Sequence, residues 1–219
     1  MAQNTSSAVM QQRREPSDAL DDFPTPPWAT RALCEWLQER HDLAMLTVRE
    51  PTCNRGHMVH PLAEYFAEVL ASDVHDYGHG FDVRDYLFPP EPDPVPWTIT
   101  NPPFRVGHQF AEQALRTSTH GVALFVRTAF LESETRFERI FRDNPPTAIL
   151  QFCERVVIHR GRLVPNGSTA TAYCWLVWGV RPREVRTELH WIAPGTRARL
   201  ERAADYPSPP VEVATGSLL

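Results

Sequence analysis

The sequence predicts an α/β domain built on a mostly parallel sheet that finishes in an antiparallel pair. Three observations point there. Strand-like and helix-like patterns alternate along most of the chain, which is how βαβ units arise. Acidic and Asn-containing clusters fall at the ends of strand-like runs, where open sheets gather their ligands. The last two strand-like runs are joined by a segment carrying Asn166-Gly167, a hairpin signal.

Taken in order, Pro26 and Pro27 close an extended stretch, after which Trp28, Ala32, Leu33, Trp36 and Leu37 keep helical spacing as far as His41. Leu46–Cys53 reads as a strand ending at Pro51, and His57–Ala67 as a helix with Met58, Leu62 and Phe66 on one face. Val69–Val74 is a short strand, and a minor strand lies near Phe81–Val83 before a Pro-broken loop. Trp97–Thr100 is a strand delivering Asn101-Pro102-Pro103-Phe104. Val106–Arg116 and Glu132–Phe141 read as helices; Val122–Val126, Ala148–Val157 and Ala172–Val180 read as strands. Seven strands result. Residues 1–20 read as a mobile leader, 21–202 as a single domain and 203–219 as a flexible, Pro-containing tail.

Composition bounds the function. The 219 residues are 42% hydrophobic and 22% charged, with no apolar run near the ~20 residues of a membrane span. That excludes a transmembrane protein, a fibrous repeat and a disordered chain. A net charge of -5 is not that of a protein clamping nucleic acid over its whole surface. The charge is uneven, however: residues 1–104 hold 7 Arg against 16 acids, and residues 105–219 hold 15 against 11. All 22 basic residues are Arg, which a GC-rich coding sequence explains without any function. The cysteines (34, 53, 153, 174) are far apart, and Cys153 and Cys174 sit in apolar strand-like runs. With no secretory signal, these features point to the cytoplasm.

Four clusters carry candidate chemistry. Glu50-Pro51-Thr52-Cys53-Asn54-Arg55-Gly56 places a carboxylate at a strand tip and a Gly in the turn, so backbone can approach a ligand; an ordinary strand-to-helix turn is the plain alternative. Asp73, at the next tip, is placed to accept from two ribose hydroxyls, or is simply a solvated strand terminator. Asp85 can receive an adenine amino group or cap a loop. In Asn101-Pro102-Pro103-Phe104 the two prolines remove donors and stiffen the backbone. What they leave is the Asn101 side-chain oxygen and the Pro102 carbonyl as acceptors for an exocyclic amine, beside a ring on which a planar base can stack.

In that order these residues resemble the S-adenosylmethionine-dependent amino-methyltransferases, most of all the phage- and prophage-type DNA adenine-N6 methyltransferases. The segment Asp22-Phe-Pro-Thr25-Pro26-Pro27-Trp28 also resembles theirs, in which a Thr-Pro stretch lies over the methionine end of the cofactor. The similarity runs from Asp21 to Val180. It implies a Rossmann-like class I methyltransferase fold, with a mostly parallel seven-stranded sheet and an antiparallel edge hairpin. It further implies S-adenosylmethionine held by Thr25, Pro26, Glu50, Pro51, Cys53, Gly56, Asp73, Asp85 and Asn101. Glu50 would meet the cofactor amino group, Gly56 would admit its backbone-proximal part, Asp73 would hold the ribose and Asp85 the adenine amine. Asn101, Pro102, Pro103 and Phe104 would be the catalytic set gripping the target base.

The implied activity is methyl transfer to N6 of adenine in DNA, with the base extruded from its stack. The electropositive C-terminal half, with loop 159–170, would hold the backbone; the basic stretch of Arg155, His159, Arg160 and Arg162 either touches phosphate or is a solvated hairpin tip. No metal is expected, since no Cys or carboxylate spacing completes a site around His57, His60, His75 and His79. No separate target-recognition segment is visible after the sheet, so short or relaxed sequence specificity, in a monomer or a homodimer, is expected. An RNA or protein-amide acceptor is the alternative, as is a catalytically silent subunit. Asn54, where the family usually carries Gly, favours the silent reading; the intact Asn101-Pro-Pro-Phe104 opposes it. Asn is among the few residues that tolerate a left-handed backbone, so the turn is expected to survive.

Overall fold

The computed structural model describes residues 20–165, 167–179 and 186–206. The strands are β1 (Thr47–Glu50), β2 (Glu68–Asp73), β3 (Asp82–Val83), β4 (Val95–Thr100), β5 (Ser118–Arg127), β6 (Ala148–Phe152), β7 (Tyr173–Trp178) and β8 (Glu188–Ile192). They form one sheet in the order β3-β2-β1-β4-β5-β7-β6-β8. The first five pair in parallel, β7 enters antiparallel between β5 and β6, and β8 runs parallel to β6. The chain moves outward from β1 to β3 and then returns to the other side of β1 with β4. This reversal opens a crevice beyond the C-terminal ends of β1 and β4.

The helices follow from the apolar spacing. α1 (Pro27–Gln38) starts with proline at its first position, where a missing N–H costs nothing. It packs Trp28, Ala29, Leu33 and Leu37 onto the sheet face that carries Val48, Trp97, Ile99, Phe125 and Trp175. The Trp175 indole N–H donates to the Ala29 carbonyl at 3.0 Å, which fixes that docking. α2 (Val59–Leu62) is a single turn, and α3 (Gly107–Thr117) covers the opposite face with Ala111 and Ala114 against Val122, Leu124 and Leu176. β5 therefore alternates between two buried faces and reads as a near-continuous apolar run. α4 (Glu134–Arg136) passes directly into a π-turn at Phe137–Phe141, and α5 (Thr196–Leu200) lies against α1.

The mostly parallel α/β sheet and its antiparallel β6–β7 pair match expectation. Three details differ. The pair is not at the edge, because an eighth strand, β8, adds beyond β6. The helix expected over His57–Ala67 is one turn long; beyond Ala63 the N–H groups of Glu64 and Tyr65 reach back three residues, to the Pro61 and Leu62 carbonyls, and the ladder tightens into turns. β6 ends at Phe152 rather than Val157, leaving Cys153 exposed instead of in an apolar strand. Most of the leader (1–19), Asn166, Val180 and the tail from 207 lie outside the described residues.

Candidate active site

Two cavities meet at the C-terminal ends of β1 and β4. The larger, about 470 Å³, is lined by residues that include Pro51, Thr52, Asn54, Asp73, Tyr77, Asp85 and Pro103. The smaller, about 190 Å³, is walled by Pro102, Pro103, Phe104, Phe130, Arg127 and Arg136, with no acidic side chain on its wall. Pro103 belongs to both. Pro51, Asp73 and Asp85 thus share one cavity, while Pro102, Pro103 and Phe104 form a wall of its neighbour.

The turn after β1 shapes the larger cavity. Asn54 sits in the left-handed region at φ 51, and Gly56 at φ 86. The turn expected to survive with Asn54 does so. Asp73 accepts from the Asn54 backbone N–H at 2.9 Å through one oxygen and from the His75 N–H at 3.0 Å through the other. Burial pushes its carboxyl above the usual range, and these N–H donors oppose the shift. Asp85 is exposed and caps the Leu87 N–H at 2.9 Å.

The remaining residues assigned to the cofactor lie beneath or beside this wall. Glu50 is 0% exposed; its Oε1 accepts from the Thr52 N–H, the Thr52 hydroxyl and the Thr100 hydroxyl at 3.0, 3.0 and 2.8 Å. Its Oε2 is buried without a partner, and burial pushes the carboxyl up to about 8. Cys53 is buried and donates its N–H to the Ser72 carbonyl. At Gly56, besides the positive φ, a Cβ would stand 2.8 Å from the Phe81 ring. Thr25 and Pro26 are buried away from the cavity, Pro26 leading into α1.

Asn101 is half-buried and on the wall of neither cavity; its backbone carbonyl accepts from the Thr52 hydroxyl at 3.1 Å. Its side-chain Nδ2 donates to the Phe23 carbonyl and to the Thr25 hydroxyl, both at 3.0 Å. A carbonyl can only accept, so this contact fixes which way the amide faces and leaves Oδ1 as an acceptor with no side-chain partner among the described residues. Phe104 is gripped too: its N–H donates to Asp21 at 2.7 Å, its ring packs on Phe23 at 5.1 Å, and the Arg127 guanidinium lies 4.0 Å above it. A planar group thus already rests on the ring expected to take a base. Sequence reasoning missed Arg127, Phe130, Arg136 and Tyr77, which reach the cavities only through the tertiary fold; an Arg closing β5 was the one available signal.

The donor set fits an adenosine-type cation. Carboxylates stand at the end of β2 and two residues beyond β3, the buried Glu50 carboxyl has an oxygen without a partner among the described residues, and the turn after β1 is left-handed at two positions. Among the described residues, no group of three or more His, Cys, Asp or Glu is placed to hold a metal ion, and no helix is long and apolar enough to cross a membrane.

No protein-family model matches the sequence, and neither does any curated protein. Solved structures match the fold. The chain is similar to the methyltransferase subunit of a type I restriction-modification system from Streptococcus thermophilus, with 12% identity and a TM-score of 0.58 over 80% of this chain and 48% of that one. It is similar to a candidate RNA methyltransferase from Pyrococcus horikoshii, with 17% identity and a TM-score of 0.54 over 80% of this chain and 96% of that one. It also resembles magnesium protoporphyrin IX methyltransferase from Synechocystis PCC 6803 with bound S-adenosylhomocysteine, at 14% identity and a TM-score of 0.51 over 70% of this chain and 83% of that one. These likenesses define a Rossmann-like methyltransferase fold. The chain spans about half the length of the restriction-modification subunits it matches.

Proposed function

We propose that the protein transfers a methyl group from S-adenosylmethionine to the exocyclic N6 amine of adenine in DNA. One observation carries this reading. A cavity with two strand-tip carboxylates and a cavity with aromatic and Arg walls share Pro103 of Asn101-Pro-Pro-Phe104. A donor and an acceptor held on either side of one rigid corner are held for transfer.

S-adenosylmethionine supplies an electrophilic methyl on a sulfonium. The chain contributes position. Asp73 and Asp85 offer oxygens to the hydroxyls and amine of an adenosine. Pro102, on the acceptor wall, and Asn101, one residue before it, offer a carbonyl and Oδ1 as acceptors for the amine, which would draw its lone pair out of conjugation with the ring. The aromatic wall of Phe104 and Phe130 suits a planar base, and Arg127 and Arg136 suit the anionic strand that carries it. No base of special pKa is required, since the nitrogen is acidic once alkylated. The Arg-rich, acid-free acceptor wall favours a nucleic acid over a protein amide.

The test is transfer of a labelled methyl group from S-adenosylmethionine to DNA, RNA and total protein side by side. Label on DNA, recovered as N6-methyladenine, supports the proposal. Label on RNA or protein reassigns the acceptor, and label on none of the three despite cofactor binding identifies a silent subunit.

A further inference from the structure

We infer that Asp22 is a positioning residue for this reaction, holding the Asp21–Thr25 strap so that the Asn101 amide presents its oxygen to the acceptor. The inference rests on the functional reading above. Its starting point is the residue that departs from the expected glycine, Asn54. The Asn54 side chain does not point idly into solvent: Nδ2 donates to Asp22 Oδ1 at 2.8 Å. Arg55 then grips both Asp22 oxygens, with contacts of 3.0, 3.1 and 3.1 Å, and bonds back to Asn54 Oδ1. Two successive residues of the donor turn thus close on a single carboxylate.

That carboxylate is one residue from the Phe23 carbonyl that sets the orientation of the Asn101 amide. Short contacts therefore link donor site to acceptor site: Asp73 to the Asn54 N–H, Asn54 to Asp22, and Phe23 to Asn101, each bond between 2.8 and 3.0 Å. A glycine at position 54 would keep the left-handed turn but lose its side-chain contact, leaving Arg55 alone of the turn to hold Asp22. The strap has independent anchors as well, since Asp21 accepts from the Phe104 N–H and the Asp22 carbonyl accepts from the Gly161 N–H at 2.8 Å. Losing the Asp22 side chain should loosen the strap without releasing it.

The experiment uses the full chain with Asp22→Ala, Asp22→Glu, Asn54→Gly and the double variant Asp22→Ala/Asn54→Gly. S-adenosylhomocysteine affinity, methyl-transfer kcat and hydrogen exchange of the Asn101 side-chain amide are measured for each. Asp22→Ala is expected to lower kcat by roughly a hundredfold, the scale of a misplaced reacting group. Affinity for S-adenosylhomocysteine should change by no more than about threefold, and the Asn101 amide should exchange roughly tenfold faster. Asp22→Glu should recover part of the rate. The double variant should be no slower than Asp22→Ala, because both changes break one link.

Wild-type kcat and wild-type amide exchange in Asp22→Ala would overturn the inference, as would losses that multiply in the double variant. If the parent protein bound no S-adenosylhomocysteine, the methyltransferase reading would fall instead. The exchange rate of the Asn101 amide would still decide whether Asp22 orients it.

Discussion

Replacing Asn101 with alanine separates the two cavities experimentally. The side chain makes two donor contacts, to the Phe23 carbonyl and the Thr25 hydroxyl at 3.0 Å each, and leaves Oδ1 for the acceptor. Two half-buried hydrogen bonds at about 1 kcal/mol each put the stability loss near 2 kcal/mol. For a chain of this length that is a fall in Tm of roughly 4–8 °C. Removing one aligned polar group from a transfer site costs roughly 100- to 1000-fold in kcat. Asn101 lines neither cavity, and its side chain bonds to Phe23 and Thr25, which do not line the cavity of Asp73 and Asp85 either, so affinity for S-adenosylhomocysteine should stay within about threefold of the parent. Calorimetric titration, thermal denaturation and labelled-methyl kinetics read the three quantities. A variant that methylates DNA at the parental rate refutes the acceptor assignment. One whose affinity falls in step with its rate places Asn101 in the cofactor site instead.

Glu50 makes stability pH-dependent. Its folded carboxyl is raised from 4.5 to about 8 by burial, so between those values the unfolded chain ionises while the folded one keeps its proton. The contribution of Glu50 to stability is therefore full below about 4.5 and is lost as pH rises toward 8, by up to about 1.4 kcal/mol per pH unit. Glu50→Gln should flatten urea midpoints measured across pH 5–8; parallel curves for parent and variant would remove Glu50 as the cause. Gly121→Ala would bring a Cβ to 2.5 Å from the Trp97 ring and 2.6 Å from the Trp178 carbonyl. A loss of about 3 kcal/mol is expected, seen as a Tm lower by roughly 6–12 °C, and an unchanged Tm would contradict the packing there. Arg127→Ala should raise the KM for DNA and reduce its salt slope by about one phosphate, leaving S-adenosylhomocysteine binding alone. An unaltered salt slope would take Arg127 off the strand-binding surface.

Much of the fold was legible because burial writes a period into the chain. β5 announces itself with Val122–Val126 buried on both faces, and α1 with apolar residues every three to four positions. β8 was not legible: Glu188, Leu189 and Trp191 are exposed, so no buried face marks Glu188–Ile192 as a strand, and only pairing with β6 makes it one. The same contrast holds in the site. Asp73, Asp85 and the diproline corner lie at strand tips, and strand tips can be read in order along a sequence. What Glu50 and Gly56 do could not be read that way. The neighbours that define them, Thr100 for one and Phe81 for the other, lie 50 and 25 residues further along the chain.

The position of β7 has a consequence for synthesis on the ribosome. β6 emerges first but its backbone is joined to β5 through β7, which follows some twenty residues later. Until Trp178 has left the exit tunnel, the apolar edge of β5 stays open and β6 has nowhere to dock. The nascent chain thus carries a sticky, half-built sheet until β7 is out, and any pause between residues 152 and 173 would lengthen that exposure.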